Sequence, residues 1–231
     1  MSSTLYDVWW TDSSEGEQAM EDSHHRHWQK LVAVMMERDL RASTVLDFGC
    51  NQGGFLRFLY AQRPFAAGVG VDLARRSVEV ANARVGPLPI TYEATPTLAP
   101  YAGRFDLATS SAVIYLIADL PAHAREMRQA LKPGGVYYAT YSDYRGNPSL
   151  PSMREQIDRH GAVPMQEHTL DAIALAFQAE GFAVELRRLP ADGFIPVRLP
   201  DRFFRSLADR MLYEYEQAYV FRCTAPPRST P

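Results

Sequence analysis

The chain has 231 residues, 46% of them hydrophobic and 22% charged, which is the composition of an ordinary globular protein long enough to bury one sizeable α/β core. A formal net charge of −3, a sequence pI near 6.1 and the lack of any dense Lys/Arg run argue against a surface built to neutralise nucleic-acid phosphates. The acidic start MSSTLYDVWWTDSSEGEQ has no secretion-signal pattern, no apolar run could span a bilayer, and Cys50 and Cys223 suggest neither a CxxC pair nor a disulfide framework. The expectation is therefore a cytoplasmic protein with reduced thiols, folded as a single domain over residues 1–231.

The first expected element is a helix over roughly residues 16–38, with no strand before it, which makes residues 1–43 an N-terminal helical lid over the sheet's ligand edge. It carries His24, His25 and His27 in HHRHW, with Tyr6, Trp9 and Trp10 ahead of it. Imidazole titrates near working pH, so His24 and His25 are candidate general bases, and His27 with Tyr6 are candidate acceptor contacts. Exposed or packing histidines are the alternative reading. His24 and His27 share a helix face, but no carboxylate pair stands at ligand spacing, so no metal is expected. The Tyr and Trp residues read as lid and core rather than as an aromatic cage.

The first strand, residues 44–48, runs directly into VLDFGCNQGGF and then a helix over 55–62. A strand, Gly-rich turn and helix suit a nucleotide-like ligand, because Gly lets the main chain approach it closely and strand ends of an open parallel sheet form a crevice there. The spacing is not GxGxxG, so a dinucleotide pyrophosphate is disfavoured. Instead Asp47 stands two residues before Gly49, with Gly53 beyond, and an acid there suits a ligand bearing an ammonium group. Asn51 can enter the left-handed region at modest cost, which keeps the turn feasible. A turn that merely reverses the chain is the alternative. A second strand, 67–71, leads to Asp72 and Leu73 ahead of a helix over 75–85. At a strand tip Asp72 can accept both ribose hydroxyls, or else cap the following helix, while Leu73 can lie against an adenine face.

VLDFGCNQGGF resembles motif I of class I S-adenosylmethionine-dependent methyltransferases, with Asn51 where that pattern has its middle Gly. The resemblance implies S-adenosyl-L-methionine as cofactor and S-adenosyl-L-homocysteine as product. It implies that Asp47 holds the methionine ammonium group and that the backbone from Gly49 through Cys50 and Asn51 to Gly53 passes beside the ligand. After the third strand, 90–93, Ala94 and Thr95 stand near the position from which the family contacts the adenine amino group. The fourth strand and its exit, RFDLATSSAVIYLI, a helix over 122–131, the LKPGG turn and a fifth strand, 136–141, resemble the later motifs. Residues 133–135 are read as a tight turn that ends the helix and starts the strand. The resemblance covers about residues 44–142, the cofactor-binding half. Ser110 and Ser111 are placed beside the cofactor and Tyr115 among the candidate catalytic residues.

Beyond it lie a helix over 152–159, a helix over 170–180 stopped by Gly181, and strands over 183–188 and 218–223. Strands and helices alternate, and the expected fold is α/β: a Rossmann-like, seven-stranded, mostly parallel sheet with helices on both faces and cap insertions after strand five and between strands six and seven. These caps, residues 143–168 and 190–216, supply Tyr144, Arg145 and Arg198 as candidate substrate contacts, since a guanidinium fork pairs with a carboxylate or phosphate. Residues 203–212 show helical apolar spacing that reads as cap packing, with an acceptor pocket or dimer face as the alternative. The strand-four exit lacks the Pro-Pro-Tyr wording of enzymes that methylate DNA adenine or glutamine amides. The expected activity is methyl transfer to N, O or S of a small-molecule acceptor by in-line displacement, without nucleic-acid or membrane partners. A macromolecular acceptor such as tRNA or protein, or a catalytically silent cofactor binder, is the competing reading.

Overall fold

The computed structural model describes residues 4–12, 16–189, 191, 193–197 and 199–227. Helix α1 (Gly16–Val34) precedes β1 (Leu40–Phe48), and strict alternation follows: α2 (Gly54–Gln62), β2 (Phe65–Asp72), α3 (Arg75–Arg84) and β3 (Ile90–Ala94). The second half contains β4 (Phe105–Ser110), α4 (Leu120–Ala130), β5 (Leu131–Ser142), α5 (Leu150–His160), α6 (Leu170–Ala179), β6 (Ala183–Arg188), α7 (Leu207–Leu212) and β7 (Ala218–Thr224). The seven strands form one sheet in the order β3-β2-β1-β4-β5-β7-β6, parallel except for β7, which pairs antiparallel with both neighbours.

Side-chain alternation along the strands builds two apolar layers. Val45, Val136 and Tyr138 face the side covered by α1, α2 and α3, while Leu46, Tyr137 and Ala139 face α4 and α6. The helix ends are chemically marked. Asp119 caps α4 by accepting the Ala122 N–H at 2.9 Å, Thr169 caps α6 by accepting the Ala172 N–H at 2.8 Å, and Gly181 ends α6 with φ 83°.

Several boundaries differ from the sequence expectation for physical reasons. The Pro133–Gly135 run is not a turn between helix and strand; α4 stops at Ala130 and the run lies inside β5. Gly134 has φ 76° there, and β5 shifts register against β4 between Phe105 and Leu107, so the run forms an irregularity of the strand. Helix α1 ends at Val34 rather than Arg38, and β1 begins four residues early, at Leu40. Phe203 and Phe204 precede α7, with their N–H groups accepted by Asp201 Oδ1, so the expected helix over 203–212 shrinks to its second half.

The N-terminal residues ahead of α1 cross the carboxyl end of the sheet as an extended strap. Tyr6 N–H donates to Leu73 O at 3.0 Å and Tyr6 O accepts from Arg75 N–H at 2.8 Å; farther on, Thr11 N–H donates to His160 O at 2.9 Å. Trp9 and Trp10 on the strap pack with Ile157 and Met165 in a third apolar cluster. Phe177 is fully buried where α6 meets the sheet, in contact with the rings of Tyr137 and Phe182. Phe177→Ala should cost about 3–5 kcal/mol, read as a lowered urea midpoint with an unchanged denaturant slope.

Candidate functional site

The chain leaves β1 towards β2 and β3 on one side and resumes with β4 on the other, so a crevice opens at the carboxyl ends of β1 and β4. The loop that closes β1 is shaped by three left-handed residues: Gly49 at φ 77°, Asn51 at φ 46° and Gly53 at φ 75°. At Gly49 a Cβ would stand 2.6 Å from Val113, and at Gly53 it would stand 2.4 Å from the Tyr92 ring, so neither site tolerates a side chain. Gly49 and Cys50 donate their N–H groups to Val71 O at 2.8 and 3.0 Å, which ties the loop to β2. The Asp72 carboxylate completes the tie, accepting the Asn51 N–H on Oδ2 at 2.7 Å and the Ala74 N–H on Oδ1 at 2.9 Å. Ala74, not Asp72, occupies the N-cap position of α3.

Asp47 lies behind this loop, only 2% exposed and level with Gly70 of β2 in the sheet register. Burial pushes its carboxyl up to about 7; the Thr109 hydroxyl, 3.2 Å from Oδ1, opposes the shift, and the Asp72 charge adds to it. Two acids meet at adjacent strand tips, an arrangement that favours a cationic ligand.

In front of the loop is a cavity of about 1300 Å³, larger than the roughly 300–1000 Å³ of most single-ligand sites. Gly49, Asn51, Asp72, Leu73, Thr95 and Ser111 line it, and so do Tyr6, His24, His27, Tyr115 and Tyr144. Other sequence candidates sit outside its wall. Cys50 is buried in the apolar layer under β2, and Gly53 carries the Tyr92 hydroxyl on its carbonyl at 2.7 Å. Ala94 packs against that same layer. Ser110 turns away from the cavity, its hydroxyl 2.5 Å from the Tyr137 hydroxyl, which in turn lies 2.9 Å from His123 Nε2. His25 is exposed and sets its ring edge against Phe58, with centroids 4.8 Å apart. Arg145 forms a two-pronged pair with Asp143 at 2.9 and 2.8 Å, away from the cavity. Arg198 lies outside the described residues.

The site also contains residues the sequence did not single out. Lys30 of α1 pairs with Glu214 at 3.3 Å in the cavity wall, a contact between positions far apart in the chain. Ala112, at the exit of β4, has φ 56° and donates its N–H to Thr140 Oγ1 at 2.8 Å, an unusual backbone that no residue type there announced. His123 lines the cavity from α4. Burial lowers His24 to about 4 and His27 to about 3, so both rings are neutral near pH 7. Asn51 Oδ1, Ser111 Oγ and His27 Nε2 are buried without a hydrogen-bond partner in the protein, as expected of a wall that waits for a polar ligand. Among the described residues no group of His, Cys, Asp and Glu is arranged to hold a metal ion, and no helix is long and apolar enough to cross a membrane.

A family profile described as a methyltransferase domain matches residues 20–186, more than two thirds of the chain. The malonyl-[acyl-carrier protein] O-methyltransferase of Anoxybacillus flavithermus is 24% identical over 216 residues, covering 83% of this chain and 82% of that protein. A ubiquinone biosynthesis O-methyltransferase of Methylobacterium nodulans is 32% identical over 104 residues, but the match covers only 43% of this chain and 41% of that protein. In fold, the chain resembles one in the Haloferax volcanii complex that contains the Trm112 methyltransferase activator, with a TM-score of 0.75, 21% identity and coverage of 92% and 96%.

The raised Asp47 carboxyl carries a stability signature. Its folded-state value, about 7, lies above the ordinary 3.8, so the folded protein holds a proton that the unfolded chain has lost between those two pH values. Stability therefore falls as pH rises from about 4 to about 7 and then levels off. Asp47→Asn removes this effect. Its stability advantage over wild type, by urea denaturation of the ligand-free protein, should grow by up to about 1.4 kcal/mol per pH unit across that window and stay flat above it.

Proposed function

Since the chain belongs to the methyltransferase-domain family, we propose that it uses S-adenosyl-L-methionine to methylate N, O or S of a small-molecule acceptor held in the same cavity. The observation that carries the reading is the pair of acids, Asp47 and Asp72, at adjacent strand tips beside a loop whose backbone lies against the cavity. The Asp72 carboxylate accepts a backbone N–H on each oxygen and lines the cavity from the tip of β2, which places it to meet the ribose hydroxyls. Asp47 holds the methionine ammonium group, directly or through water, and the cation restores its ionised form. Leu73 and Thr95 flank the adenine, and Asn51 Oδ1 and Ser111 Oγ, buried and unpartnered, supply further polar contacts.

When bound, the cofactor supplies a methyl group on a cationic sulfur; an acceptor lone pair forms the new bond to that carbon as the carbon–sulfur bond breaks, leaving S-adenosyl-L-homocysteine. The protein's part is alignment and exclusion of water. The strap, α1 and the caps over 143–168 and 190–216 surround the acceptor side, an enclosure that favours a small acceptor over tRNA or a protein surface. His24, His27 and Tyr115 are the groups placed to accept a proton if the acceptor must lose one, and His25, exposed on the far side of α1, takes no part. Two buried, unpaired cysteines agree with a reducing cytoplasmic setting.

Calorimetry with S-adenosylhomocysteine tests the reading. Asp47→Ala and Asp72→Ala should each weaken binding by about 10- to 100-fold while circular dichroism stays native, because each removes a charged hydrogen-bond partner. Binding that ignores both substitutions would count against it.

A further inference from the structure

The cavity is large enough to hold a second ligand, and the chemistry of its wall restricts what that ligand can be. The strap, α5 and the connection between β6 and β7 contribute Trp9, Trp10, Met153, Phe203 and Tyr213. Tyr213 stacks on Tyr144, with ring centroids 5.5 Å apart and planes 7° apart, so a flat, largely apolar surface is already assembled there.

The charges are all committed. Three cations face the cavity among the described residues, and each has an acid: Lys30 with Glu214 at 3.3 Å, Arg210 with Asp201 at 3.0 Å and Arg125 with Glu180 at 3.2 Å. The acids are engaged too, Glu214 by a cation and the others by backbone N–H groups. Glu214 belongs to Lys30, Asp119 caps α4, Glu126 accepts the Leu98 N–H at 2.6 Å, and Asp72 holds the Asn51 loop. His24 and His27 are neutral. Besides Asn51 Oδ1 and Ser111 Oγ, assigned to the cofactor, His27 Nε2 and Arg210 Nε are buried without a hydrogen-bond partner in the protein. An anionic acceptor entering this space would lose its hydration and find no unpaired cation among the described residues, a cationic one would meet only carboxylates already engaged with backbone N–H groups, and a neutral polar group would satisfy the orphaned atoms.

We propose that the acceptor is an uncharged molecule with a flat, predominantly apolar body and a neutral hydroxyl or carbonyl head group that bonds to His27. This rests on the methyltransferase reading of the same cavity and names its substrate class. Carboxylate and ammonium acceptors are disfavoured, and Arg145, already paired with Asp143 outside the cavity, does not recruit an anion.

Equilibrium dialysis of the protein saturated with S-adenosylhomocysteine at pH 7.5 tests this with three probes of matched shape: 2-naphthol, 2-naphthoate and 2-naphthylmethylammonium. The neutral probe should bind at least about tenfold more tightly than either ion. Glu214→Gln leaves Lys30 unpaired, and should raise 2-naphthoate affinity about tenfold while 2-naphthol stays within about twofold. Tighter binding of either ion to wild type, no binding of 2-naphthol, or no gain of 2-naphthoate binding in a Glu214→Gln protein that still binds S-adenosylhomocysteine would overturn the proposal. Loss of S-adenosylhomocysteine binding by the wild-type protein would instead overturn the methyltransferase reading beneath it.

Discussion

At the carboxyl end of this sheet a buried acid is held against its own preference for water. Asp47 is forced inward by the alternation of β1, and Asp72, at the tip of the adjacent β2, adds its charge to the penalty. The loop between β1 and α2 answers only half of that strain. It gives the Asn51 N–H to Asp72, and Thr109 sets its hydroxyl beside Asp47. The sheet fixes the two acids because their strands are parallel and in register, and the left-handed Gly49, Asn51 and Gly53 let the chain turn over the buried Asp47 while Asp72 stays in the cavity wall. On the proposed reading, a cationic ligand would relieve the strain, and affinity would be built from a destabilised ligand-free state.

That part of the molecule was legible in the sequence because it depends on backbone. Glycines at fixed offsets, an Asn that accepts positive φ and an acid at a strand tip are local signals, and strand–helix alternation follows from apolar runs of limited length. β4 and β6 fell where the apolar runs placed them, β3 and β7 grew by one residue each, and β2 grew by three. The reversed direction of β7 was not legible, since an apolar run carries no direction; nor was the Pro133–Gly135 irregularity inside β5, which local turn chemistry reads as a boundary.

The acceptor wall was read less well, for a different reason. Ser110 and Ser111 are neighbours in sequence, yet one faces Tyr137 and the other the cavity. His24 and His27 face the cavity and His25 does not, as helical geometry requires of one turn, but periodicity alone could not say which face was inward. Lys30 and Glu214, or Tyr144 and Tyr213, meet only because α1 and the β5–α5 connection converge with the β6–β7 connection over the sheet. Charge neutralisation between such distant positions is a property of the fold, and among the described residues of the wall it leaves no cation unpaired.

A cation-bearing ligand that meets Asp47 should drive its proton off. Titrating S-adenosylhomocysteine by calorimetry at pH 7 in two buffers of different ionisation enthalpy measures the protons exchanged on binding. With the free carboxyl near 7, binding should release about half a proton, and none in Asp47→Asn. Equal heats in both buffers for the wild-type protein would contradict the account.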